Sequence, residues 1–272
     1  MTDWQNTQNR DGGWGYGRGA SWTEPTVLVL LAQSVTQVER GSFEAGVNFL
    51  RSVQRRDGGF SPRADVEEST WVTSLALLLP GDALGRDVRA RGNEWLGAQT
   101  GRESGWNFRF HQWLEGNKEE YPEGWPWFPG AAAWVIPTAL GVLAFERVLK
   151  TNESKAVRER VRTGRAFLMN RICADGGWNH GSNKALGRDG DSYPETTGIA
   201  LMALRGVAGT AQMTAARKHL ASCKTAEGSA WLRMGLAAQG EIATVAEAPA
   251  VRTVTDRALL ALAAATRNPL LS

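Results

Sequence analysis

Trp4-Gln5-Asn6-Thr7-Gln8-Asn9-Arg10-Asp11-Gly12-Gly13-Trp14 opens the chain, and its pattern returns along most of the remaining sequence. Trp4, Gln8, Gly12 and Trp14 stand at intervals of 4, 4 and 2. Leu50, Gln54, Gly58 and Phe60 keep those intervals, as do Leu168, Ile172, Gly176 and Trp178. Leu220, Lys224, Gly228 and Ala230 keep them more weakly, and Trp95, Gln99, Gly105 and Trp106 fit with a slip of one residue. An acid precedes the last position by three each time: Asp11, Asp57, Glu103, Asp175 and Glu227. The first three copies follow a period of about 46 residues, and self-similarity at such a period marks a repeat architecture.

Each copy has the same neighbours. Amphipathic stretches such as 46–53 and 158–169 precede it, with apolar residues at helical spacing. The Asp-Gly-Gly element stops that helix, since glycine tolerates a left-handed turn and Asp bonds nearby backbone N–H groups. Almost wholly apolar stretches follow at 26–32, 71–79, 138–145, 197–204 and 231–238. A helix apolar on every side is buried on every side. The expectation is an all-α chain of about five pairs, each with a half-exposed outer helix and a buried inner one. A last helix over 253–265 closes it. The Gln and terminal aromatic of each copy read as scaffold: the amide caps the loop and the ring covers the Gly-Gly turn.

The pattern resembles the QW motif, Trp/Leu-x3-Gln-x(n)-Gly-x-Trp, of the prenyltransferase and squalene-cyclase repeat superfamily, over roughly residues 4–240. In motif it is most similar to class II terpenoid cyclases such as squalene-hopene cyclase. The resemblance implies an α/α toroid whose inner helices surround an apolar cavity. A single domain over 1–272 is expected, and a break in the repeat period marks an aromatic-rich insertion at 107–130.

In class II cyclases an Asp-x-Asp-Asp-Thr-Ala motif opens an inner helix shortly after Gly-Gly-Phe. Here Gly58-Gly59-Phe60 is followed by Asp65-Val66-Glu67-Glu68-Ser69-Thr70. The resemblance therefore assigns the acids to Asp65, Glu67 and Glu68, with Glu67 as proton donor. Clustered carboxylates cannot all ionise freely, so one can remain a protonated acid. The repeats offer a second reading. Matching inner-helix starts sets Glu68 beside Glu24 and Glu195, with Ile136 in the third copy. That makes Glu68 a recurring first-turn carboxylate favoured by the helix N-terminus, and leaves Asp65 and Glu67 peculiar to this copy. The cluster reads either as a catalytic acid or as a solvated helix start.

Aromatics supply the substrate-binding candidates. The insertion holds Phe108, Phe110, Trp113, Tyr121, Trp125, Trp127 and Phe128, and a loop this apolar is a plug or a lid. Trp22, Trp134 and Tyr193 each stand two residues before the helix-start acid position, and Trp71 opens its own apolar stretch. Trp22, Trp71, Trp125, Trp127, Trp134 and Tyr193 either line a cavity or pack between repeats. Ring faces of this kind stabilise cations.

Other chemistries have thinner support. The prenyltransferase branch of the family uses zinc, and Cys173, Asp175 and His180 are chemically suitable ligands. Cys173 falls at an outer-helix end, however, and the family's Asp-x-Cys is missing, so no metal and no cofactor are expected. His111 and His219 are isolated. Asp189-Gly190-Asp191 reads as a cation-holding pair or a Gly-rich turn. A glycoside-active barrel would need two carboxylates placed across a cleft.

Net charge is +3, and the basic residues form no run or aromatic-interleaved stripe, which argues against nucleic acid. Two cysteines cannot build a disulfide framework, the N-terminus carries no secretory pattern, and apolar runs are too short to span a bilayer. A cytoplasmic location is expected. So is an apolar isoprenoid-type ligand, with a second toroid chain or a homo-oligomer completing the site. Acid-initiated cyclisation of a polyprenyl substrate is the leading functional expectation. A non-catalytic toroid that holds an isoprenoid or a protein is the alternative, and a zinc prenyltransferase-like enzyme comes third.

Overall fold

The computed structural model of the protein describes residues 4–36, 40–104, 122–185, 188–245 and 247–271. The α-helices among them are α1 (Thr23–Val35), α2 (Arg40–Ser52), α3 (Val72–Leu77), α4 (Arg86–Ala98), α5 (Val135–Leu149), α6 (Lys155–Asn170), α7 (Pro194–Ala203), α8 (Thr210–Ser222), α9 (Ala226–Ala238) and α10 (Val254–Ala264). Short 3-10 turns occupy Gln5–Thr7 and Arg102–Ser104, and one small antiparallel pair joins β1 (Lys184–Ala185) to β2 (Arg188–Asp189). The described fold is otherwise helical.

Burial separates the helices into two sets. In α1 the run Pro25–Gln33 is buried throughout, as are Pro137–Phe145 of α5 and Thr196–Ala203 of α7. The outer helices bury one stripe: Val47, Phe49 and Leu50 of α2, and Val161, Gly164, Phe167 and Leu168 of α6. The inner helices meet in chain order. α1 packs on α3, α3 on α5, α5 on α7, α7 on α9, α9 on α10, and α10 returns to α1, so the cycle of contacts closes.

The repeated loop is held by a recurring set of bonds. Gln8 Nε2 donates to Gly12 O at 2.7 Å and to Ser42 O of α2 at 2.8 Å; Gln54 Nε2 does the same to Gly58 O and Val88 O of α4. Asp11, Asp57 and Asp175 accept from the second glycine N–H and from Ser21, Ser69 and Ser192 respectively. The backbone N–H of Trp14, Phe60, Trp125 and Trp178 donates to a Thr hydroxyl of the following inner helix: Thr26, Thr73, Thr138 and Thr197. These bonds give the aromatic N–H, the second glycine N–H and the Asp carboxylate of the loop their partners. Gly58 shows why glycine is required: its φ is +95°, and a Cβ would lie 2.5 Å from Arg91 O on the neighbouring outer helix.

Three sequence expectations change. In the third copy the loop aromatic is Trp125, whose indole donates to Leu96 O as Trp14 does to Trp4 O and Trp178 to Leu168 O. Gly105 and Trp106, expected there, lie outside the described residues, as does most of the insertion, including Phe108, Phe110, His111, Trp113 and Tyr121. In the fifth copy Thr225 caps α9 at Gly228 N–H, so Gly228 sits in a helix rather than a turn. The match of Glu68 with Glu24 also shifts. Ser69 bonds Asp57 as Ser21 bonds Asp11, yet Thr73 follows Ser69 by one residue fewer than Thr26 follows Ser21. Glu68 therefore corresponds to Ala20, before the helix, and α3 begins late.

Candidate functional site at the mouth of the inner helices

The inner helices begin at one end of the cycle, and their first residues meet there. Trp22, Trp134 and Tyr193 are the N-cap residues of α1, α5 and α7, each with extended backbone, and Trp71 caps α3. Extended geometry at these caps arises because each pairs with its own loop aromatic: the N–H groups of Trp22, Trp134 and Tyr193 donate to the carbonyls of Trp14, Trp125 and Trp178. Adjacent copies are joined by one more bond. Thr23, Trp71 and Val135 donate their N–H to the carbonyls of Pro62, Trp127 and His180.

Rings gather on one side of this mouth. Trp71 and Trp127 meet edge to face at 5.0 Å, and Trp127 lies 6.4 Å from Trp134. Tyr16 and Trp22 are 5.6 Å apart, and His180 lies against Tyr193 at 5.2 Å. Trp134 and Tyr193 remain 36% and 48% exposed. The Arg63 guanidinium already covers one face of Trp22 at 5.0 Å.

Carboxylates gather along an arc that overlaps the rings. Glu24, Glu195 and Glu227 are each the second residue of α1, α7 and α9, and Asp256 lies in the first turn of α10. The order of packing makes α7, α9, α10 and α1 successive members of the cycle. Acids therefore span α7, α9, α10 and α1, the cap aromatics span α1, α3, α5 and α7, and the two arcs overlap at α1 and α7.

The acids feel one another. Burial first, and then the charges of Glu24, Glu195 and Asp256, together raise the Glu227 carboxyl to about 7. Its side chain nonetheless stays open to water. Burial also raises Glu24, opposed by a hydrogen bond in which the Tyr16 hydroxyl donates to Glu24 Oε2. The Tyr16 phenol is itself pushed far above its ordinary range, by burial first and by Glu24 and Glu227 next. Asp256 is engaged differently, accepting from Arg252 and Thr253 N–H as the reciprocal half of the α10 capping box.

The candidates named from sequence divide. Trp71, Trp127 and Trp134 meet ring to ring, and Trp22 and Tyr193 cap neighbouring inner helices at the mouth. Trp125 stands apart: it is buried, its indole N–H is bonded, and Phe145 and the Arg160 guanidinium pack on it. Asp65, Glu67 and Glu68 lie in the loop before α3 and are exposed. Asp65 pairs with Arg63, which holds its carboxyl below the usual range. Glu67 and Glu68 line a polar surface depression with Arg55, Arg56 and Asp57. The sequence matches Glu24 and Glu195 as recurring helix-start carboxylates but sets Glu227 with the turn acids Asp11, Asp57, Glu103 and Asp175, whereas it lies in the first turn of α9.

Among the described residues no group of three or more His, Cys, Asp or Glu side chains is arranged to hold a metal. Cys173 is buried, His180 stacks on Tyr193, and Asp175 is committed to its loop. Ser192 lies between Asp175 (2.7 Å) and His219 Nε2 (2.6 Å), but the same Ser–Asp bond recurs at Ser21 and Ser69, which marks it as loop scaffold. No described helix is long and apolar enough to cross a membrane.

No family model and no curated protein matches the sequence. Solved structures do match in fold. The endo-beta-1,4-glucanase CMCax from Acetobacter xylinum superposes with a TM-score of 0.54 at 12% identity, over 95% of this chain and 93% of that one. A novel alpha-amylase from Clostridium perfringens gives 0.54 at 9% identity, over 87% and 80%. The type II terpene cyclase MstE from Scytonema gives only 0.39 at 14% identity, over 77% and 71%. The first two are α/α toroid enzymes, and at such identities the likeness extends to the fold alone.

Proposed function

We propose that the chain is one α/α toroid of five helix pairs that works as an acid–base catalyst at this mouth, cleaving a C–O bond of a saccharide-type substrate. The observation behind this reading is that Glu24, Glu195 and Glu227, coupled through their charges, stand at the same helix ends as the cap aromatics. In it Glu227 is the general acid, poised near neutral pH where proton donation is most effective. Glu24 or Glu195 is the partner carboxylate, and the rings of Trp134 and Tyr193 take the apolar face of a sugar.

Acid strength and water access favour this over cyclisation of a polyprenyl alkene. A carboxyl that releases its proton near pH 7 suits an acetal oxygen, which departs as it is protonated. It is a poor donor to an unactivated double bond. An open mouth also supplies the water that hydrolysis consumes and a carbocation must avoid. The fold partners at 0.54 act on polysaccharides by their names, which agrees with this reading.

A second reading is favoured by the QW-like repeat and the aromatic arc. In it the mouth opens an epoxide on an isoprenoid chain, with the ring faces steadying the cation. The acid is again Glu227, because an epoxide oxygen accepts a proton from a carboxyl of this strength.

Purified protein incubated with α- and β-glucans, aryl glycosides and squalene epoxide tests both. Release of reducing sugar that falls about 10²–10⁴-fold in Glu227→Gln supports the first reading. Cyclised product with the same dependence supports the second. Ligand binding without turnover of either kind would make the toroid a binding module and end the catalytic reading.

A further inference from the structure

Behind the exposed Trp134 lies a second pocket, lined by Arg102, Glu103, Ala132, Ala133, Trp134, Arg171, Gly181 and Ser182. Its charges are unequal. The Glu103 carboxylate is buried and committed, with both oxygens accepting the Ala133 N–H at 2.9 and 3.1 Å. Among the described residues neither Arg102 nor Arg171 has an ion-pair partner. The Arg171 Nε–H is fully buried and meets no acceptor. That guanidinium lies 4.9 Å over the Phe167 ring.

A buried guanidinium N–H without an acceptor is costly to leave unmade. A guanidinium fork is suited to two-point contact with an oxyanion. The wall opposite is apolar: Ala132, Ala133 and the Trp134 indole, against which Gly181 packs so closely that a Cβ there would stand 3.3 Å from the ring.

We propose that this pocket is an oxyanion subsite, taking the carboxylate or phosphate group of a ligand whose body crosses Trp134 into the mouth. Arg171 and Arg102 hold the anion, and Trp134 is shared between subsite and mouth. The subsite does not depend on the acid chemistry assigned to Glu227. The Glu227→Gln variant should therefore bind an oxyanion as the wild type does, and the two assignments can fail separately.

The test is titration of the full chain with inorganic phosphate, pyrophosphate and glucuronate, followed by calorimetry and by the Arg171 Nε–H resonance. At least one probe is expected to shift that resonance saturably. Arg171→Gln and the exposed-site variant Arg102→Gln should each weaken its binding tenfold or more. Preference for phosphate or pyrophosphate would identify a phosphate-bearing ligand, and preference for glucuronate a carboxylate-bearing one. Trp134→Ala should weaken glucuronate more than phosphate, since only the former has a ring. The proposal is overturned if no probe moves the resonance, or if binding persists unchanged in the folded Arg102→Gln and Arg171→Gln proteins.

Discussion

The Tyr16 hydroxyl donates to the carboxylate of Glu24, so a residue two places past the loop aromatic Trp14 grips the first turn of α1. That bond favours the charged form of Glu24, while burial opposes it. Its removal in Tyr16→Phe should raise the Glu24 midpoint. A less charged Glu24 repels Glu227 less, so the Glu227 midpoint should fall from about 7. The two carboxyls titrate as a coupled set, and the opposite movement of their steps is the signature. Carbon-13 NMR of the glutamate carboxyls across pH 3–9 would show it; parallel movement would refute the coupling.

Stability should decline with pH through the Glu227 transition. An acid raised in the folded state holds its proton longer there than in the unfolded chain, so the fold binds the extra proton between about 4.5 and 7. Stability is therefore highest below that window, is lost across it, and is level above it. Because the side chain is open to water, the full shift must be discounted, leaving an effect of about 1 kcal/mol. Glu227→Gln should flatten the slope and be the more stable protein above pH 7, as urea titrations at a series of pH values would reveal.

Much of this architecture is legible in the sequence because the repeat specifies local bonds. Gln8 and Gln54 cap the loops as their spacing implied, and the apolar runs at 26–32 and 138–145 fall inside α1 and α5. The third loop was misread because an insertion separates Gln99 from Trp125, moving the aromatic far from its expected place. Glu68 was matched to Glu24 because a one-residue shortening between Ser69 and Thr73 leaves no mark in composition. The acid arc was hidden for a different reason. Glu24 and Glu227 belong to distant parts of the chain and meet only because α10 closes on α1. Local pattern placed Glu24 at a helix start but Glu227 in a turn, and only the closed cycle brings their charges together.

Two tryptophans from the candidate set should part company under substitution. Trp125→Ala removes a buried ring with a bonded N–H and should cost about 3–5 kcal/mol of stability, read by denaturant midpoint. Trp134→Ala removes a partly exposed ring and should stay within about 1 kcal/mol of wild type while weakening ligand binding. Equal losses of stability would remove the distinction between core and mouth.

Gly58→Ala should be among the most damaging single changes. Alanine at φ +95° is strained, and its Cβ would stand 2.5 Å from a backbone carbonyl of α4 that cannot swing aside. Strain and displacement together should cost on the order of 3 kcal/mol. Gly130, with φ +81° but open space around it, provides the control: Gly130→Ala keeps the strain without the clash and should cost only about 1 kcal/mol. Thermal melts of the two variants check this, and a smaller loss at Gly58 than at Gly130 would contradict the close loop–helix approach.

The two acid clusters can be separated by paired variants. Asp65 is solvent-exposed and paired to Arg63, while Glu67 and Glu68 face a polar depression rather than the aromatic mouth. Asp65→Asn, Glu67→Gln and Glu68→Gln should leave both stability and turnover near wild type, because exposed charges interact weakly through water. Glu227→Gln should abolish most turnover with little change in substrate affinity, the split expected of a proton donor rather than a binding group. The reverse result, with Glu67→Gln inactive and Glu227→Gln active, would return the acid to the loop before α3. It would also revive the cyclase-type assignment, since that loop is where the family motif places its proton donor.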